Sequence, residues 1–147
     1  MKKKVISNNV YYKIAWSDSY KYDKYNILGI PELSGIICVQ EKVRTQLRDL
    51  IFISCYRNGL RNGLRRFLDP QFTILPNNLD TIKEKDLFFK YTVIDNPIAD
   101  IQDILYWLIK TYTPPYNNST DFKDSRRYGN IFVKEVQLNK NDIIERI

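Results

Sequence analysis

Histidine is absent from the 147 residues. That removes the Ser-His-Asp and Cys-His catalytic units, every His-ligated zinc site and any imidazole acid–base pair. Cysteine is scarce: Cys38 and Cys55 each lie in an apolar β-like run, without ligands at metal spacing, so a zinc knuckle is excluded. They read as reduced, buried small hydrophobes; if their runs form a hairpin, they are also candidates for cross-strand pairing. No apolar run is long enough to span a bilayer, and no transmembrane helix is expected. Met1-Lys2-Lys3-Lys4 carries the charge of a signal-peptide start. Val5-Ile6-Ser7-Asn8-Asn9 follows where an apolar segment would be needed, so the expected location is cytoplasmic.

What is present is aromatic and basic. Eleven Tyr, seven Phe and two Trp contribute to a hydrophobic share of 44%, enough for one packed core and too much for a disordered tail. The length suits a single domain. Lys and Arg number 23 against 17 acids, and the net charge of +6 is compatible with DNA, RNA or an anionic surface as partner.

Alternating Tyr12, Ile14 and Trp16 suggest an edge strand over residues 10–16, followed by irregular chain as far as Pro31. Residues 35–39 and 50–56 are apolar on both faces and read as central, covered strands joined by a hairpin through the polar stretch 40–48. Between residues 57 and 68 the period changes. Leu60, Leu64, Phe67 and Leu68 share a helical face, Gly63 marks close backbone packing, and Asp69-Pro70 stops the helix. A loop over 71–84 leads to a strand over 88–95. Asn96-Pro97 then starts a helix, as an N-cap followed by proline at the first helical position. Its stripe is Ile98, Ile101, Ile104, Leu105, Leu108, Ile109 and Tyr112, and Pro114-Pro115 ends it. Residues 117–129 form a polar loop and 131–136 a last strand. The fold expected is α+β, a small mixed, mainly antiparallel sheet flanked by helices.

The words in this order resemble the GIY-YIG nuclease domain: Gly35-Ile36-Ile37, then Phe52-Ile53-Ser54, then Leu60-Arg61-Asn62-Gly63-Leu64, then Leu105-Tyr106-Trp107-Leu108-Ile109 running on to Pro114-Pro115-Tyr116-Asn117. The resemblance covers residues 30–118. It leaves 1–29 as an aromatic N-terminal extension and 119–147 as a C-terminal loop and strand of one domain. It implies metal-assisted phosphodiester hydrolysis, with tyrosines assisting proton transfer, an arginine steadying the phosphate and a glutamate holding the metal. The matching positions here are Ile37, Phe52, Gly63 and Leu105; only Asn117 is retained. Without that carboxylate, Mg²⁺ has no anchoring oxygen there, and Asp100 and Asp103 lie on the helix face opposite Leu105.

The resemblance therefore implies a catalytically inactive domain that holds DNA or RNA in the family's groove. Arg57, Arg61, Arg65 and Arg66 are then the candidate phosphate contacts; the plain alternative is a solvated helix flank. A second expectation is a protein-binding or structural module acting through the aromatic N-terminus. Tyr11, Tyr12, Trp16, Tyr20, Tyr22 and Tyr25 either stack on single-stranded bases or cover a core or partner. A third is a diverged Mg²⁺-dependent DNA endonuclease; otherwise no cofactor and no metal ligand set is expected. Asn117 is either a site remnant or the residue that closes the loop after Pro114-Pro115. Trp107, outside its helix stripe, packs under the C-terminal segment or contacts a partner.

Overall fold

Alternation governs the start of the chain. In strand β2 (Asn9–Trp16), Val10, Tyr12, Ile14 and Trp16 are buried, while Tyr11, Lys13 and Ala15 face the other way. Strand β1 (Lys2–Ile6) pairs with it antiparallel through a two-residue turn at Ser7-Asn8, with Lys2 opposite Lys13 and Lys4 opposite Tyr11. Strand β7 (Asn130–Gln137) pairs with the other edge of β2 in parallel, from Asn9–Asn130 to Trp16–Gln137. The expected edge strand is thus the middle one of three, because both partners come from segments whose local pattern does not announce the pairing. Residues assigned to the two ends of the chain share one sheet. These relations hold in a computed structural model that describes residues 1–57, 59–67, 82, 84–117 and 122–138.

A second, antiparallel sheet has the order β3–β6–β4–β5, from β3 (Tyr20–Lys21), β4 (Gly35–Val43), β5 (Gln46–Cys55) and β6 (Leu87–Val93). The apolar runs continue through the polar stretch to a turn at Arg44-Thr45. Strand β4 is central as expected, but β5 is an edge strand. Its two apolar faces come from helices above and below rather than from strands on both sides. The interval read as irregular holds β3 and a short helix, α1 (Lys24–Leu28), capped by the Asp23 side chain accepting from Asn26 N.

Helix α2 (Gly59–Phe67) covers one face of this sheet, burying Leu60, Leu64 and Phe67 against Ile37, Val39 and Ile51. Helix α3 (Ile98–Tyr112) lies between the two sheets. Its Ile101, Ile104, Leu105, Leu108 and Ile109 meet Ile36, Cys38 and Phe52 of the second sheet and Val10, Tyr12, Ile14 and Trp16 of the first. The stripe's end residues Ile98 and Tyr112 stay exposed. Helix α3 begins one residue later than expected: Pro97 occupies the cap position with an extended ψ of 149°, and Asn96 donates from Nδ2 to Asp100 Oδ2 (3.1 Å) instead of capping. Asp100 in the first turn supplies the negative charge that a helix N-terminus favours.

Cys38 lies opposite Phe52 and Cys55 opposite Gly35, in cores on different faces of the sheet; both are free and buried. They are not cross-strand neighbours. Burial pushes the Cys55 thiol up to about 12. The Asp69-Pro70 stop and most of the loop expected over 71–84 lie outside the described residues. Among the described residues, no helix is long and apolar enough to cross a membrane.

Candidate functional site

The second sheet divides the five positions that the GIY-YIG resemblance singles out. Ile37 and Gly63 lie on the α2 face, where a Cβ added at Gly63 would come within 2.3 Å of Cys55 Sγ and 3.2 Å of Ile37 Cδ1. Glycine fits there because the Cys55 and Ile37 side chains pack against the helix where a Cβ would stand. Phe52 and Leu105 lie in the other core, beneath α3. Asn117 sits at the open edge of β5, where Nδ2 donates to Phe52 O (3.0 Å) and Oδ1 accepts from Phe52 N (2.8 Å). It closes the turn after α3 by acting as a short strand partner, beside Tyr116 N donating to Leu50 O (3.0 Å). Ile37, Phe52 and Leu105 are buried hydrocarbon and offer no oxygen to Mg²⁺. Among the described residues, no three Cys, Asp or Glu side chains converge as a metal ligand set.

The two acids of α3 do face away from Leu105, yet they are buried, at 1% and 0% exposure. Asp100 Oδ1 accepts from Tyr12 Oη, Lys3 Nζ and Arg127 Nη2, each at 2.8 Å. Asp103 accepts from Ser125 N (2.7 Å), Ser125 Oγ (2.8 Å) and Arg127 Nη2 (3.0 Å). Burial alone would raise the Asp100 carboxyl. Hydrogen bonds from Lys3, Arg127, Tyr12 and Asn96 outweigh it and hold the group well below the usual carboxylate range. Burial, and then the bond to Asp100, push the Tyr12 phenol in the opposite direction. All four carboxylate oxygens of this pair already accept from a cation, hydroxyl or amide of the chain, so these carboxylates do not fit Mg²⁺ either. Their work is to fasten α3 to the first sheet and to the loop that carries Ser125 and Arg127.

The arginine stripe is not uniform. Arg61 is held, with Nε donating to Ile30 O (3.0 Å) and Nη1 paired with Glu32 Oε1 (2.9 Å). It fastens α2 to the lead-in of β4. Arg57 and Arg65 are exposed and Arg66 is half-buried.

The six N-terminal rings also separate. Tyr12 and Trp16 belong to the core; Tyr20 packs on Phe89, and Tyr22 packs on Phe67 and Phe89 while its hydroxyl donates to Leu64 O. Tyr25 stands out from α1 at 86% exposure. Tyr11 is stacked on Phe132 across the β2–β7 pair, ring centroids 5.0 Å apart and planes 13° from parallel, with 39% and 46% of these residues still exposed. Trp107 packs at the rim of the α3 core and against Tyr112.

The register makes this pair part of a patterned face. One row across the outer side of the first sheet is Lys4–Tyr11–Phe132 and the next is Lys2–Lys13–Lys134. Together these six side chains line a shallow groove of about 540 Å³. Period two sends Lys3 inward to Asp100 and leaves Lys2 and Lys4 outward. The acid of β7, Glu135, turns inward to Trp16 Nε1 (2.8 Å) and the Tyr112 hydroxyl. Residues 1–17 hold four lysines and no acid. Among the described residues, Lys2, Lys4 and Lys134 make no ion pair. Phe132 and Lys134 escape the sequence reading because their membership in this face depends on a pairing 121 residues long. The visible signal was the shared alternation of Lys2/Lys4, Tyr11/Lys13 and Phe132/Lys134.

No curated protein and no solved structure matches the chain. A family model carrying the description "Uncharacterised protein" matches residues 1–145, and the chain belongs to that family.

Proposed function

We propose that the protein binds nucleic acid through its basic surface and is a catalytically silent relative of the GIY-YIG nucleases. The kinship is supported by the order of hairpin β4–β5, helix α2, strand β6 and helix α3, with the Gly35 strand at the middle of its sheet. Silence follows from the residue types at Ile37, Phe52, Gly63 and Leu105, which supply neither hydroxyl, guanidinium nor carboxylate. The observation that carries the binding reading is the outer face of the first sheet. Lys2, Lys4 and Lys134 stand there without acidic partners among the described residues, so an incoming phosphate backbone would meet positive charge that no internal anion neutralises. Arg57, just before α2, and Arg65 on that helix add to the charge. A cytoplasmic location, where nucleic acid is at hand, belongs to the same reading.

Titration of labelled DNA and RNA at rising salt tests it. Affinity is expected to fall linearly on a logarithmic plot, with the slope set by the number of phosphates contacted. Absence of binding at low salt would refute the reading. Incubation with Mg²⁺ or Mn²⁺ is expected to leave DNA intact, and metal-dependent cleavage would restore the endonuclease reading.

A second reading has its own observation. Tyr25 and Leu28, three residues apart on α1, are 86% and 58% exposed, as an anchor for a protein partner would be. Loss of a captured partner on Tyr25→Ala, with nucleic-acid affinity unchanged, would favour it.

A further inference from the structure

We infer that the outer face of β1–β2–β7 is a platform for single-stranded nucleic acid, on which bases stack against the Tyr11–Phe132 pair while phosphates meet Lys2, Lys4 and Lys134. The inference rests on the nucleic-acid reading above and names the ligand class and the site.

Three features point to a single strand rather than a duplex. The two rings are parallel to each other, and they remain 39% and 46% exposed although they stack. An aromatic pair that served only to hold two strands together would gain most by being covered. Among the described residues β7 is an edge strand, and Phe132 keeps 46% of its surface exposed, which leaves ring surface for a base. A duplex buries its base faces in its own stack and has none to offer; an unpaired strand does.

The second feature is the spacing of charge. Lys2 and Lys4 of β1 and Lys134 of β7 flank the two rings and make no ion pair among the described residues, so an anion laid across the face would meet their charge. The backbone of a strand whose bases sit on the aromatic pair would lie among these three lysines. The third is that the one acid in β1, β2 and β7, Glu135, turns inward, away from this face. Aromatic rings interleaved with lysines suit a ligand that is at once flat, apolar on its faces and negatively charged along its length. Stacking is tolerant of base identity, so binding is expected to show little sequence preference.

The test is fluorescence anisotropy with a labelled oligonucleotide of about 12 nucleotides, as DNA and as RNA, single-stranded and annealed to its complement. The single strand is expected to bind about tenfold or more tightly than the duplex. Tyr11→Ala/Phe132→Ala should weaken single-strand binding about tenfold or more without changing its salt slope, and Phe132→Tyr should retain it. Lys2→Gln/Lys4→Gln/Lys134→Gln should instead flatten the salt slope, by about 0.7 for each phosphate that is no longer neutralised. All these side chains are on the solvent face, and circular dichroism of each variant checks that the fold persists.

Equal affinity for duplex and single strand, unmoved by the aromatic double change, would overturn the platform and leave the nucleic-acid reading standing. No binding of any oligonucleotide at low salt would overturn both. So would binding confined to vesicles containing phosphatidylserine, which would reassign the lysine face to a membrane surface.

Discussion

The two sheets use the same strand chemistry in opposite ways. The second sheet is covered on both faces, by α2 and by α3, and its strands β4 and β5 are apolar at nearly every position from Gly35 to Val39 and from Leu50 to Ile53. Among the described residues, the first sheet is covered on one face only. Its strands alternate, and the face without a helix carries lysines and two stacked rings. They are stitched together where Ser17 N donates to Tyr91 O (2.9 Å) and Tyr91 N to Ser17 Oγ (3.0 Å). The difference separates a scaffold from a surface. Side chains in the second sheet are fixed by packing, and substitutions there should be read out as stability. Side chains on the open face of the first are free to be chosen for a ligand.

That contrast can be broken at its seam. Asp100→Ala leaves Arg127 and Lys3 without their shared carboxylate at a buried site and should cost about 3–5 kcal/mol, measured by urea denaturation. Acid should expose the same contact. The folded carboxyl is held below its unfolded value, so its contribution is complete above roughly pH 4 and is lost as the pH falls below that, toward the depressed folded value. Asp100→Asn should be less stable at neutral pH and flatter in this acid window. Parallel pH profiles for the two proteins would count against the carboxylate's role.

Next in size is Gly63→Ala. Alanine would gain about 1 kcal/mol in a helix, but its Cβ would strike Cys55 Sγ, so a net loss of about 1–3 kcal/mol is expected. Cys55→Ala removes the sulfur, and the double variant should be more stable than the sum of the singles by at least about 0.5 kcal/mol. Simple additivity would show that the close approach is not the constraint. Asn117→Ala strips two hydrogen bonds from the edge of β5 and should cost about 1–3 kcal/mol in thermal or chemical melts. An unchanged melting temperature would mean that water replaces the amide without penalty. Smallest of all should be the open face. Tyr11→Ala should cost less than about 1 kcal/mol, and Lys2→Gln should change stability by no more than about 0.5 kcal/mol. A larger loss at either would make the open face part of the scaffold.

What the sequence made legible follows the range of the physics involved. The covered strands, α2, α3 and the final strand are written in local periodicity, and so is the packing role of Gly63. The partners of those strands are not. Lys2-Lys3-Lys4 reads locally as a basic leader, and becomes a strand because β2 presents an edge to it. Strand β2 reads as an edge because nothing near it in the chain foretells β7. The burial of Asp100 and Asp103 likewise depends on Arg127 and Ser125, which come from a loop more than twenty residues on. Arg61 looks like a free phosphate ligand until the fold brings Glu32 and Ile30 O to it.

The parallel pairing of β2 with β7 also sets a timetable for the growing chain. Ribosomal synthesis proceeds at about 5–20 residues per second, so the 121 residues between Asn9 and Asn130 delay the arrival of β7 by roughly 6–24 seconds. Through that interval β2 has β1 on one side and bare backbone donors and acceptors on the other, while the hairpin β4–β5 already has its partner a few residues away. Closing so long a loop carries a high entropic cost before any contact rewards it, so the first sheet should be the last element to assemble. Until then the lysines of β1 and β2 are expected to keep like-charged nascent chains apart, guarding in the unfinished protein the same edge that β7 occupies in the finished one.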